Sequence, residues 1–292
     1  MTYLQAIILG ALQGLTEPFP VSSLGHSVIF PSLLGWSNIN QNDPFFLIFL
    51  VATHAATAVV FFVIFWKDWK KIFLGMGRSL RDRVIDNKNP YGKLGWLLVV
   101  GSIPAGILGL LFQQSLQNLF GLPEYAAGFL VLNGVMLIGA DFLRRRSQKK
   151  MAGQKDFDGE RSDERVAALS WWQSVKVGLL QCLALIPGFS RTGATITGGL
   201  LADLSYEDAA RFSFLLATPI IAGAALLKLP ELAMQQSSSF SLGVILAGAL
   251  SAAIIAYASV KFLLKYFETK KLWPFGIYCC VVGLIAAAIF IF

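Results

Sequence analysis

Apolar residues run along this chain in long blocks, not in the alternation of surface strands or the half-polar stripe of soluble helices. Six blocks carry few charges and approach or exceed 20 residues: roughly 44–66, 95–113, 124–143, 211–229, 240–264 and 273–292. A helix rises about 1.5 Å per residue, so each block can cross the ~30 Å hydrocarbon layer of a bilayer. Two further apolar regions, 3–35 and 171–203, are broken near their middles by Pro, Gly and Ser. Each is too short for two complete crossings with a turn between them. Each suits a helical hairpin that dips into the bilayer and leaves on the same side. Irregular backbone at that depth is tolerated only inside protein or along a wet cavity.

The polar gaps between blocks are strongly asymmetric. No Lys or Arg precedes Lys67, whereas eight fall between Lys67 and Lys93 and eight more between Arg144 and Arg165. With both broken regions re-entrant, loops 67–94 and 144–170 share one side with Lys265, Lys270 and Lys271. The other side, residues 1–43, 114–123 and 230–239, has neither Lys nor Arg. The positive-inside bias makes the basic side cytoplasmic and puts both termini outside. It also explains the net charge of +7 without a nucleic-acid partner, anionic lipid headgroups being the secondary reading. Composition agrees: 55% of the 292 residues are hydrophobic and 14% charged, against about 25% charged in soluble domains. The three cysteines, Cys182, Cys279 and Cys280, sit in apolar segments and read as small core residues. The N-terminus lacks a cationic region, so the first apolar segment is expected to be retained.

The two broken regions resemble each other. "GALQGLTEPFPVSSLG" (10–25) aligns without a gap to "GLLQCLALIPGFSRTG" (178–193), matching Gly10, Leu12, Gln13, Leu15, Ser22 and Gly25. "FLVAT" at 49–53 echoes "FLLAT" at 214–218. Three crossings separate the hairpins, and an odd number inverts the second copy. The expected architecture is an all-α integral membrane protein of six transmembrane helices and two re-entrant hairpins in two inverted-topology repeats. Its single membrane domain divides into repeat one (about 1–144), a flexible cytoplasmic linker (about 145–170) and repeat two (about 171–292). The hairpin tips then meet near the bilayer centre.

Those tips carry the reactive side chains. Tip one holds Gln13, Glu17, Ser22, Ser23 and His26; tip two holds Ser190, Arg191, Thr192 and Thr195 in "PGFSRTGAT". An arginine at a membrane helix centre costs ~2.5–3.5 kcal/mol on insertion scales. Neither Arg191 nor Glu17 has a partner within its own hairpin. Singly, Arg191 has a lesser reading as a loop cation, and Ser22, Ser23 and Ser190 read equally as helix N-caps. Together they suit phosphate-ester chemistry. Arg191 can clamp phosphate oxygens, and Ser23 or His26 can attack phosphorus or move a proton. Glu17, with Gln13 one turn earlier, can hold a hard divalent cation or orient the nucleophile. Free N–H groups at helix starts favour an anion, making Ser22, Gly25, Gly188, Ser190, Thr192, Thr195 and Gln13 the candidate substrate contacts. His54, amid small residues in "VATHAAT", reads as a packing histidine, with a supporting role beside the site as the alternative. Asp141 reads as an interfacial partner of Arg144.

"QGLTEPFPVSSLGH" resembles the first signature of the bacterial undecaprenyl-diphosphate phosphatases, the bacitracin-resistance family, and "PGFSRTGAT" resembles its second. The likeness continues through "QCLALIPGFSR" and "FSFLLATP" and covers essentially the whole chain. It implies the same six helices and two re-entrant hairpins, in the bacterial inner membrane. It implies a phosphoric-anhydride hydrolase that removes the terminal phosphate of a C55 polyprenyl diphosphate at the outer face. That activity recycles the lipid carrier of peptidoglycan synthesis. Carried over, the acidic motif falls on Gln13 and Glu17, the serine on Ser23, the histidine on His26 and the arginine on Arg191. Dependence on Mg2+ or Ca2+ and release of inorganic phosphate are also implied. Here Gln13 is the less acidic choice, Thr192 stands where the family has Ser, and Pro18 where it has an aromatic. An in-line attack by Ser23, with His26 and Glu17 assisting proton transfer, is the preferred mechanism; a phosphohistidine at His26 is the alternative. A lipid-carrier flippase is the competing function, and a homodimer is left open.

Overall fold

A computed structural model describes residues 1–85, 89–112, 119, 122–151, 162–234, 241–268 and 271–291. The described residues form helices and no strand: α1 Tyr3–Thr16, α2 Ser23–Leu33, α3 Pro44–Ile64, α4 Trp66–Asp82, α5 Pro90–Leu111, α6 Pro123–Met151, α7 Ser162–Ala167, α8 Trp171–Gln181, a 3-10 turn Cys182–Leu185, α9 Arg191–Leu201, α10 Tyr206–Met234, α11 Leu242–Phe267 and α12 Trp273–Ile291. Six of them, α3, α5, α6, α10, α11 and α12, are long and apolar enough to cross a membrane. Their outer faces remain apolar: Leu246, Leu250 and Ile254 on α11 and Val281, Leu284 and Ile285 on α12 are all exposed. Lipid is the solvent that such a surface requires.

The two broken regions fold as pairs of short helices, α1–α2 and α8–α9. Each opens on the same reciprocal cap. The Thr2 hydroxyl accepts from Gln5 N at 3.2 Å while Gln5 Oε1 accepts from Thr2 N; Ser170 and Gln173 repeat the pattern. Each pair also lays its first helix against a long helix of the other half, α1 on α11 and α8 on α5. Small residues permit the approach. A Cβ on Gly10 would strike the Gly248 carbonyl, and one on Gly178 the Gly101 carbonyl.

The segment 67–94, expected as a loop, is in large part the helix α4. Trp69, Ile72 and Ser79 recur at helical spacing and are buried, while Lys67, Lys70, Lys71, Arg78 and Arg81 face out. The charges mark the outer face of an amphipathic helix, not an absence of structure. The linker also departs from expectation at its end. Residues 152–161 lie outside the described residues, but α7 is a helical turn whose Arg165 pairs with Asp208 at 2.7 Å. Most of the expected outer loop 114–123 and residues 235–239 of the other likewise lie outside the described residues.

Asp141 pairs with Arg145, one helical turn on, at 2.7 Å rather than with Arg144. Arg144 reaches instead to Asp203, 3.2 Å away. Asp141 also accepts from the Tyr206 hydroxyl and Leu272 N, which accounts for its burial.

Candidate active site

Pro18 and Pro20 follow directly on α1. Proline has no N–H and clashes with a preceding helical turn, so the helix stops at Thr16 and the chain turns over residues 17–21. That turn exposes main-chain carbonyls which the opposing tip and α6 satisfy. Thr192 Oγ1 donates to Glu17 O at 2.9 Å, and Ser190 Oγ to Phe19 O at 3.4 Å. Asn133 Nδ2 donates to Pro20 O at 3.0 Å. Ser22 then adopts φ +68°, a left-handed conformation costing a non-glycine residue of order 1–3 kcal/mol, and caps α2 by accepting from Gly25 N. Tip two ends the same way. Ser190 caps α9 by accepting from Gly193 N, at the position aligned with Ser22.

Asn133 joins the two tips. Fully buried on α6, it accepts from Ser190 N at 3.0 Å while its amide NH2 holds Pro20 O. Gly25 and Gly188 form a further contact between tips: a Cβ on Gly25 would lie 2.9 Å from Gly188 Cα. Gly188 has φ +106° and backs onto Ala126 and Phe129 of α6, so only glycine fits. These two glycines, with Ser22 and Ser190, therefore shape the tips through close packing and caps.

Glu17 is the centre of the arrangement. Its Oε2 accepts from Ser23 Oγ at 2.5 Å and from Gln13 Nε2 at 3.2 Å. Its Oε1 accepts from Arg191 Nε at 3.2 Å and Nη2 at 3.0 Å. Carboxylate and guanidinium, each without an opposite charge in its own hairpin, thus pair across the two. Both are largely buried, with 5% and 11% of the side chain exposed. Arg191 is further held by the Ser213 carbonyl, the Thr192 hydroxyl and the face of Phe61. Thr195 fastens the first turn of α9 to α10 through a 2.5 Å bond to Ser213.

The hydrogen bonds of His26 go to Ser22 and Tyr278. Its Nδ1 donates to Ser22 O at 2.7 Å, its Nε2 faces the Tyr278 hydroxyl at 2.9 Å, and the two rings stack. His54 reaches into the site, its Nε2 lying 3.4 Å from both Ser23 Oγ and Glu17 Oε2.

A divalent cation needs several oxygen donors, and this set does not supply them to a resident ion. Both Glu17 oxygens are committed to protein donors, and beside them Gln13 Oε1 is buried without a hydrogen-bond partner. Among the described residues no group of three or more His, Cys, Asp or Glu side chains gathers elsewhere.

Sequence reasoning passed over Asn133, Ser213 and Tyr278. Asn133 offered a signal, being the sole side-chain amide in the 124–143 block, and Ser213 lies inside the quoted "FSFLLATP".

Six apolar helices around a buried hydroxyl, carboxylate and guanidinium define a multi-pass α-helical membrane protein with a polar centre. More narrowly, the chain belongs to the bacitracin resistance protein BacA family, whose model matches residues 6–285. It is 44% identical to a protein named undecaprenyl-diphosphatase from Mycolicibacterium paratuberculosis, over 97% of this chain and 95% of that one. It is 41% identical to an undecaprenyl-diphosphatase of Gluconobacter oxydans over 99% of both chains. An undecaprenyl-diphosphatase 2 of Chromobacterium violaceum is 40% identical over 98% of each.

Proposed function

We propose that this protein hydrolyses undecaprenyl diphosphate to undecaprenyl phosphate and inorganic phosphate, recycling a lipid carrier of cell-wall synthesis and thereby conferring bacitracin resistance. Family membership and the names of near full-length relatives support the reaction. The observation that carries the site assignment is the Ser23–Glu17–Arg191 chain: a hydroxyl bonded to a carboxylate that an arginine from the opposite tip grips with two N–H groups.

In this reading Ser23 Oγ attacks the terminal phosphorus and the bridging oxygen leaves with the lipid monophosphate. Arg191 exchanges its hold on Glu17 for the transferring phosphoryl oxygens, where charge must be stabilised through the reaction. The N-termini of α2 and α9, which begin at Ser23 and Arg191, add oriented N–H groups. Occupied on both ring nitrogens, His26 is a poor nucleophile; it holds Ser22, and so the start of α2, in place. Every side chain named comes from one chain, so a second copy is not needed to complete the site. Mg2+ or Ca2+ enters with the substrate as the counter-ion of the diphosphate.

The helix pairs α1–α2 and α8–α9 are re-entrant hairpins of two inverted repeats in the bacterial inner membrane, with both termini outside and the site opening to the outer face. Their matched caps and exchanged packing partners support the repeat, and the charge asymmetry supports the orientation.

Phosphate release by purified protein supplied with undecaprenyl diphosphate, with Mg2+ or Ca2+ omitted and restored, tests the reading. Wild type should release phosphate, and Ser23→Ala and Arg191→Ala should each lose at least ~100-fold. Movement of lipid across sealed vesicles without any phosphate release would replace the enzyme by a flippase.

A further inference from the structure

Ser23 must lose its proton to attack phosphorus, and two groups lie within reach of its Oγ. Glu17 is nearer, but its oxygens already receive Arg191 and Gln13 besides the hydroxyl. Once a carboxylate is held by this many donors, its part is to aim the hydroxyl and balance charge. The second group is His54. Its Nδ1 lies 2.7 Å from the Leu50 carbonyl, which can only accept, so the ring proton resides on Nδ1. The lone pair is then on Nε2, the atom 3.4 Å from Ser23 Oγ and from Glu17 Oε2. A fixed tautomer facing a hydroxyl, with a carboxylate at hand to face the resulting imidazolium, is the arrangement an acid–base histidine requires.

We propose that His54, on the first full-length apolar helix, is the catalytic base that takes the Ser23 proton; this rests on the phosphatase reading above. As the Oγ–P bond forms, the Ser23 proton moves to His54 Nε2 and the bridging P–O bond breaks with its electron pair going to undecaprenyl phosphate. Nε2 returns the proton to that departing phosphate. Water then attacks the phosphoserine and gives a proton to Nε2. Ser23 Oγ takes this proton back as its bond to phosphorus breaks and inorganic phosphate leaves. Charge and atoms balance over the two steps with water as the only co-reactant. Glu17 takes no proton and is held throughout by the Gln13 amide.

Steady-state phosphate release from undecaprenyl diphosphate is measured for wild type, His54→Gln and His54→Ala, with and without added imidazole. Glutamine can keep hydrogen bonds to Leu50 and Ser23 but cannot serve as the base. General base catalysis is worth ~100- to 10,000-fold, so both variants should lose that much kcat while KM stays within about threefold. Imidazole should restore His54→Ala by at least ~10-fold, and should do nothing for Ser23→Ala. Near wild-type kcat in His54→Gln, or a His54→Ala rate unmoved by imidazole, overturns the proposal. A wild type that releases no phosphate overturns the phosphatase reading itself, and this control separates the two failures.

Discussion

At the scale of single residues, the molecule turns on an ion pair whose halves are 174 positions apart, Glu17 and Arg191. Removing one member of a buried pair leaves an uncompensated charge, at a cost of ~3–5 kcal/mol. Glu17→Gln and Arg191→Gln should each lower the thermal unfolding midpoint in detergent. The double variant should unfold at a higher temperature than the strict sum of the two losses predicts, yet remain without phosphatase activity. Strictly additive losses would mean that the pair does not hold the tips together. Each of these residues was legible in the sequence as an expensive intramembrane charge lacking a local partner. The histidines were not. His26 lies in the signature and His54 in a helix apolar on nearly every face, and linear sequence does not say which way a ring on such a helix points. Neither the bond of His26 to Tyr278 nor that of His54 Nδ1 to the Leu50 carbonyl is written in the linear sequence.

Among the elements, the two broken helix pairs depend on the fully buried Asn133 of α6 for their relative position. Its amide is the shared partner of Pro20 O and Ser190 N, and an unsatisfied buried group costs ~1–3 kcal/mol. Asn133→Ala should therefore destabilise the protein and cut kcat at least ~10-fold by loosening the alignment of Ser23 with Arg191. Unfolding midpoints and kcat measured on the same preparation check this; a stable variant with undiminished kcat would remove Asn133 from the account. Pro18, Pro20 and Gly188 announced the breaks because their backbone rules are local. The tether did not announce itself, since a lone amide in an apolar span looks the same whether it faces another helix or a tip. The helix α4 was hidden differently: its five outward Lys and Arg residues outweighed the buried Trp69, Ile72 and Ser79, whose spacing was helical all along.

For the whole molecule, block length and apolar composition were enough to place six apolar helices, because a bilayer demands both. The pairing of halves came less readily. Gly10 and Gly178 match in the alignment, but only folding reveals that each backs onto a glycine of the opposite half, Gly248 and Gly101. The proposed topology predicts that alkaline phosphatase fused to the C-terminus is active in intact cells, while the same enzyme inserted between residues 152 and 161 is inactive. The reverse pattern would invert the protein and turn the site toward the cytoplasm. The central claim is that Ser23, aimed by Glu17 and facing Arg191, receives the terminal phosphoryl group of a polyprenyl diphosphate. Rapid quenching of the wild-type protein with undecaprenyl diphosphate labelled at its terminal phosphate tests this most directly. The expected result is an acid-stable phosphoester that maps to Ser23 and is absent from Ser23→Ala. An acid-labile label on His26, or undiminished turnover in Ser23→Ala, would contradict it.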